Sequence, residues 1–142
     1  MNSLKLPNPR MMDVAVPANL HQGLHQEEIA KRGWALSAEE AIRLIGRDDT
    51  EFIDLREDNE RERQGMIPGS LHAPYTELTV NLLPGGIIRD HAADPGRQVL
   101  LYCAFGERSA MAVRAARSAG MDTVRHIHGG IAAWKKANGP LA

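Results

Sequence analysis

The sequence predicts an α/β fold, a mostly parallel sheet covered by helices on both faces. Three stretches carry that prediction. Residues 99–102 (VLLY) are a short apolar run of β-formers, followed by a tight loop and a helical pattern over 108–119. Residues 52–55 (FIDL) are a second run, followed by the charged stretch 57–63. Residues 123–127 are a third, followed by a helical pattern over 131–137. Strands that alternate with helices return in parallel, because each helix carries the chain back across a sheet face. Both faces of such a sheet are then buried.

The remaining elements follow in chain order. Residues 1–20 carry Pro7, Pro9 and Pro17 without sustained periodicity and read as an irregular lead-in. Residues 21–32 suggest a short helix, with Leu24, Glu27, Glu28 and Ile29 giving its pattern. Residues 1–32 are therefore taken as an N-terminal arm and 33–142 as a single domain. Residues 34–36 read as a first strand. Ser37 then caps a helix, and Glu40 three residues on completes a capping box. Ala38, Ala41, Ile42 and Ile45 form its apolar face, and Gly46 ends it. Asp54 and Arg56 lie at the C-terminal end of the second strand, where open α/β sheets place functional groups. The run 57–63 suits a solvated helix with paired charges. Gly65 to Gly69 is a turn region, and 70–72 a short strand. Residues 75–83 suit a helix with Pro74 near its start, broken by Pro84, Gly85 and Gly86. The stretch 87–94 fits no single element, and Asp94, Pro95 and Gly96 form a turn. The last helix is closed by Asn138, Gly139 and Pro140.

Composition bounds the function classes. A chain of 142 residues makes one domain with a sizeable core. Hydrophobic content of 43% and charged content of 25% are ordinary for a globular protein. A net charge of −1 gives no electrostatic case for nucleic acid or an anionic membrane as partner. The single cysteine excludes an internal disulfide, a Cys-x-x-Cys zinc site and a thiol relay within the chain. No apolar run reaches membrane-spanning length, and the N-terminus lacks a basic segment followed by an apolar core. The expected location is the reducing cytoplasm.

That cysteine, Cys103, sits where a strand ends and a helix begins. A helix N-terminus presents unpaired N–H groups and partial positive charge, and a tight loop entering it can aim several N–H groups at one anion. Such a setting lowers a thiol pKa and favours the nucleophilic thiolate. Arg108 adds a fixed cation and Ser109 a hydroxyl. The bland alternative is a buried structural thiol, which is common for free cysteine; Gly106, Arg108 and Ser109 in the same loop favour the reactive reading. Met111, Ala112, Ala115, Ala116 and Ala119 form the small-residue face that packs this helix on the sheet, with Arg114 and Arg117 on the other side.

The Cys103-x-x-Gly106-x-Arg108-Ser109 loop after an apolar strand resembles the active-site loop of rhodanese-like sulfurtransferases. The resemblance extends to Asp54-Leu55-Arg56 at a strand end and to Ile67-Pro68-Gly69-Ser70-Leu71-His72-Ala73-Pro74. It continues in Gly129-Gly130-Ile131-Ala132-Ala133-Trp134 with Gly139-Pro140. These blocks stand in the family's order and span about residues 34–140. The resemblance implies a small sandwich around a central five-stranded, mostly parallel sheet flanked by helices on both faces. It implies a thiosulfate:cyanide type of sulfurtransferase that works through a Cys103 persulfide. The loop amides of Ala104, Phe105, Gly106, Glu107, Arg108 and Ser109 would hold the transferred sulfur. It also implies a small sulfur donor, a thiol, cyanide or protein acceptor, and no metal or organic cofactor. The class alternative is a persulfide carrier or partner-binding module of the same fold.

Loop length separates neighbouring chemistries. Cys103 to Arg108 is Cys-x4-Arg, whereas phosphatases and arsenate reductases of similar fold use a loop one residue longer. Glu107 points away from a dianionic substrate as well, thiosulfate included, and Phe105 offers an apolar rim. Arg108 has two open readings, facing substrate or pairing with Asp54 or Glu60. Asp54 and Arg56 read as structural braces, and Ser109 as either a donor or a helix cap. His126 and His128 fall on one strand face and His21 and His25 on one helical face, yet no Cys or carboxylate completes a metal set. His72 is expected near the Cys103 loop without acting as a base. Met66 stands where the family often has histidine.

Overall fold

The computed structural model describes residues 18–142, with side chains from residue 25 onward. The irregular lead-in read over 1–20 lies almost wholly outside the described residues. The elements are α1 (Ala18–Lys31), β1 (Ala35–Leu36), α2 (Ala38–Ile42), β2 (Thr50–Asp54), α3 (Asp58–Gln64) and β3 (Leu71–His72). A 3-10 turn (Tyr75–Glu77) follows, then α4 (Leu78–Asn81), α5 (Ile87–Ala92), β4 (Gln98–Tyr102), α6 (Glu107–Ser118), β5 (Val124–Ile127) and α7 (Gly130–Lys136).

The strands form one five-stranded sheet in the order β1-β5-β4-β2-β3. Every pairing is parallel. The central pair aligns Thr50 with Gln98 and Asp54 with Tyr102. Strand alternation then sorts the side chains into two cores. Ile53, Leu55, Val99, Leu101 and Cys103 face one side with Ile29 of α1, Leu78 of α4, Ile88 of α5 and Ala110, Val113 and Ala116 of α6. Phe52, Leu100 and Tyr102 face the other with Ala38 and Ala41 of α2 and Ile131 and Trp134 of α7. The fold is thus the expected α/β sandwich.

Local chemistry explains the elements. Ser37 Oγ accepts from the Glu40 N–H, and the Glu40 side chain accepts from the Ser37 N–H, so the capping box is present. That helix ends earlier than its apolar pattern suggests: residues 43–46 continue as turns, with Leu44 N–H on the Ala41 carbonyl, and Gly46 closes them at φ 82°. α3 buries no side chain, in line with its charge. The stretch 87–94 resolves into α5. Its start is fixed by Asp90 Oδ1, which accepts from Gly85 N–H at 3.1 Å, and by Asn81 Oδ1, which accepts from Ile87 N–H at 3.4 Å.

The C-terminus packs on Trp134. This ring is fully buried, lies edge-on to Phe52 at 5.8 Å and donates Nε1–H to the Pro140 carbonyl at 2.8 Å. Gly139 runs against the indole so closely that any Cβ there would collide with it. Ala142 then pairs with Met66 through two backbone hydrogen bonds of 2.8 and 3.3 Å.

Candidate active site

Residues 103–106 turn the chain from β4 into α6, with Gly106 at φ 102° making the left-handed bend. The loop carbonyls are tied outward. Cys103 O accepts from Ile131 N–H at 2.9 Å and Ala104 O from Ala132 N–H at 3.1 Å, both in the first turn of α7. Phe105 O accepts from Gln26 Nε2–H at 3.0 Å. α7 can come this close because Gly130 has no Cβ; one there would lie 2.5 Å from Cys103 O. With the carbonyls held away, N–H groups turn inward. Gly106 N–H donates to Cys103 Sγ at 3.1 Å and Ser109 N–H at 3.4 Å. Converging amides at the start of a helix make an anion cradle around the sulfur.

The electrostatics correct one expectation. Placement at the helix N-terminus predicts a lowered thiol pKa, but the Cys103 thiol is pushed up. The residue is fully buried, and the Glu107 carboxylate adds repulsion; Ser109 and Arg108 pull the other way and do not offset these. Glu107 Oε2 is itself buried with no hydrogen-bond partner. The Tyr75 hydroxyl is in the same condition. Its ring packs against the core that contains Cys103. Burial, and then the negative charge of Cys103, push the Tyr75 phenol up to about 12.

The other predicted residues divide into braces and rim. Arg108 Nη2 donates to Glu60 Oε2 of α3 at 3.0 Å, so one of its two structural partners is occupied. Asp54 is taken by fully buried Arg56, through Nε at 2.9 Å and Nη2 at 2.7 Å, and by Arg61 at 3.2 Å. Arg56 also reaches the Gly65 carbonyl and stacks 5.5 Å from the Tyr102 ring. Ala104 is nearly buried, whereas Phe105 is 60% exposed and forms the rim.

The histidines fall apart as a set. His126 is buried on β5, but the strand ends at Ile127 and His128 is exposed. His72 bonds the Arg56 carbonyl at 2.6 Å and lies 3.5 Å from Asp58, so its partners belong to the brace rather than to the Cys103 loop. His21 lies in α1 among residues whose side chains are outside the described set. Among the described residues no three His, Cys, Asp or Glu side chains gather as a metal site. At Met66, where a histidine would bring a polar group, Sδ lies 3.2 Å from Arg61 Nη2.

Two site residues, Gln26 and Tyr75, escape the sequence reading, and a third, His126, is read there only as half of a candidate metal pair. Gln26 on α1 clamps both the Phe105 carbonyl and, through Oε1, the Gly129 N–H at 2.9 Å. Tyr75 enters from the 3-10 turn after β3. His126 Nδ1 lies 2.8 Å from Ser109 Oγ. Only His126 left a sequence signal, its inward place in a strand pattern.

Comparison with known proteins gives a consistent picture. The family model of the rhodanese-like domain matches residues 37–137. A sulfurtransferase of Allochromatium vinosum is 33% identical over 99 residues, which is 70% of this chain and 84% of that one. A Rhodopseudomonas palustris protein of unknown function, named a possible tyrosine phosphatase, superposes at TM-score 0.72 with 31% identity, covering 85% of this chain and 93% of that one. A human single-domain sulfurtransferase superposes at 0.59 with 26% identity, covering 72% and 96%. No helix among the described residues is long and apolar enough to cross a membrane. With the matched segment running from the capping box of α2 to the end of α7, the chain belongs to the rhodanese-like domain family.

Proposed function

We propose that this protein is a sulfurtransferase that moves sulfane sulfur from a donor such as thiosulfate to a thiophilic acceptor through a persulfide on Cys103. The observation that carries the reading is the convergence of the Gly106 and Ser109 N–H groups on Cys103 Sγ, with the loop carbonyls tied outward. In the first half-reaction the Cys103 thiolate attacks the outer sulfur of the donor. The S–S bond to the leaving group breaks as the new one forms, sulfite departs, and the thiol proton passes to solvent. In the second, a thiol or cyanide takes the outer sulfur and returns Cys103 to thiolate. Inward amides hold the negative charge of the outer sulfur in place, so little reorganisation is needed at the moment of transfer.

The loop residues 104–109 form the cradle, and Asp54 and Arg56 brace the strand end from which it is built. The domain is taken as residues 33–142, and Gln26 of α1, just ahead of it, steadies the loop. The site requires no cofactor of its own, and the reducing cytoplasm suits its free thiol.

Phosphate-ester chemistry is less favoured. The loop is Cys-x4-Arg, and the unpaired Glu107 oxygen beside Cys103 repels a dianion. The same carboxylate favours donors less charged than thiosulfate, such as an organic or protein persulfide met at the Phe105 rim. Full burial of Cys103 and its raised thiol support a second reading, a carrier that loads sulfur and releases it slowly. Thiocyanate formation from thiosulfate and cyanide, and from an organic persulfide and cyanide, separates the readings. Many turnovers lost in Cys103→Ser identify the enzyme; one sulfur released per chain identifies the carrier; phosphate-ester hydrolysis dependent on Cys103 overturns both.

A further inference from the structure

The buried side chains behind Cys103 form a chain that the cradle alone does not explain. Ser109 Oγ lies 3.6 Å from Cys103 Sγ, 3.3 Å from the Gly106 carbonyl and 2.8 Å from His126 Nδ1. Ser109 and His126 are both fully buried. The second ring nitrogen, His126 Nε2, is buried with no partner at all. A hydroxyl has one proton to give, and three neighbours compete for it. Which neighbour receives it depends on the imidazole tautomer.

The orphaned Nε2 decides the tautomer. The ring is neutral, since burial, followed by repulsion from His128, holds its pKa down at about 3. A neutral imidazole carries its proton on one nitrogen only. With the proton on Nε2, a buried N–H donor would stand without an acceptor, which folded proteins rarely tolerate. With the proton on Nδ1, that N–H meets Ser109 Oγ, and only a lone pair is left unpaired. In the first tautomer Ser109 must donate to Nδ1 and has nothing left for the sulfur. In the second its oxygen accepts from Nδ1–H and its hydrogen is free to turn.

We propose that His126 is a positioning residue for Cys103: its Nδ1–H pins Ser109 Oγ, and the Ser109 hydroxyl then donates to the sulfur whenever the sulfur is anionic. In the thiol state the S–H donates to Ser109 Oγ and the hydroxyl hydrogen rests on the Gly106 carbonyl. On deprotonation the hydroxyl hydrogen swings to the thiolate, with no heavy atom required to move. Ser109 thus supplies a third donor to the sulfur, beside the N–H groups of Gly106 and Ser109. This role rests on the persulfide reading for its purpose, but not for its test, which needs no sulfur donor.

The test has two arms. Cys103 is the only cysteine, so its alkylation rate against pH, followed by intact mass, reports the thiolate of this residue alone. The other charged or titratable neighbours, Glu107, Arg108 and Tyr75, are unchanged in every variant. Ser109→Ala and His126→Leu each should lower the thiolate fraction below the midpoint by about tenfold, the worth of one hydrogen bond to a charged sulfur. The double variant should fall no further than Ser109→Ala, because His126 acts through Ser109. His126→Asn, which keeps an N–H toward Ser109 Oγ, should restore most of the loss. The second arm is long-range proton–nitrogen NMR on the wild type, which needs no variant to fold. It should show His126 protonated at Nδ1 and bare at Nε2 at neutral pH. A proton on Nε2, or an equal effect of His126→Leu in the Ser109→Ala background, overturns the proposal. Failure of the protein to transfer sulfur would overturn the persulfide reading and leave this hydrogen-bond chain standing.

Discussion

Gln26 Nε2 donates to the Phe105 carbonyl at 3.0 Å, joining residues 79 positions apart in sequence. The same side chain accepts from the Gly129 N–H at 2.9 Å, so one amide joins the helix before the sheet, the Cys103 loop and the turn into α7. Gly106 lies so close to this amide that any Cβ there would overlap it. The family match begins at residue 37, yet the loop is held from residue 26.

Gln26→Leu keeps the volume and removes both bonds. The Phe105 carbonyl and Gly129 N–H then lose their partners, which should cost about 1–3 kcal/mol of stability. Gln26→Glu keeps the acceptor for Gly129 N–H but sets a carboxylate oxygen against the Phe105 carbonyl, so it should be at least as destabilising as Gln26→Leu. Urea unfolding of the three proteins checks the order; an unchanged midpoint in Gln26→Leu would show that the clamp carries no energy.

Asp54→Asn should be among the most damaging substitutions on the surface-free side of the site. It leaves the Arg56 guanidinium fully buried without its carboxylate, and breaking one side of a buried pair costs about 3–5 kcal/mol. Arg61, which also reaches this carboxylate, is a second cation left without its partner and adds to the loss. Thermal unfolding is the measurement, and a shift no larger than that of an exposed charge variant would refute the brace.

Glu107→Gln should lower the Cys103 thiol pKa. Burial is the larger cause of the raised value and remains, but the repulsion from Glu107 is removed. The thiolate fraction at neutral pH, read by absorbance or by alkylation rate, should therefore rise. The variant should also accept thiosulfate more readily than the wild type, because the dianion no longer meets a carboxylate. A fall in thiolate fraction would mean that Glu107 does not face the sulfur.

His126 sets a pH dependence of stability. Its folded pKa of about 3 lies below the ordinary 6.5, so the unfolded chain takes up a proton that the folded chain refuses. Stability from this group is complete above about pH 6.5 and declines as pH falls toward 3, at up to about 1.4 kcal/mol per pH unit. His126→Asn should flatten that slope by one proton over the same window. Unfolding free energies at several pH values measure it, and parallel slopes would contradict the buried neutral imidazole.

The features legible in the sequence are those governed by neighbours in the chain. The Ser37–Glu40 capping box, the strand–loop–helix at Cys103 and the Gly139–Pro140 stop are set within a few residues, and all are present. Of the two carboxylates the sequence offers Arg108, it pairs with Glu60, because Asp54 is occupied by Arg56 and Arg61. What stayed hidden depends on three-dimensional packing. Gln26 lies in a weakly patterned helix, and nothing local marks it as a clamp. Strand periodicity alone puts His126 and His128 on one face, but β5 ends between them. The raised Cys103 thiol runs against the sequence expectation because helix position is visible in sequence, whereas complete burial beside a carboxylate is not.

The persulfide on Cys103 is the central claim, and intact mass spectrometry tests it most directly. Wild type and Cys103→Ser are exposed to thiosulfate and, separately, to an organic persulfide, and then to cyanide. The account predicts a gain of one sulfur atom in the wild type, removed by cyanide as thiocyanate and absent in Cys103→Ser. A folded wild type that gains no sulfur from either donor, or a gain that survives in Cys103→Ser, would contradict it.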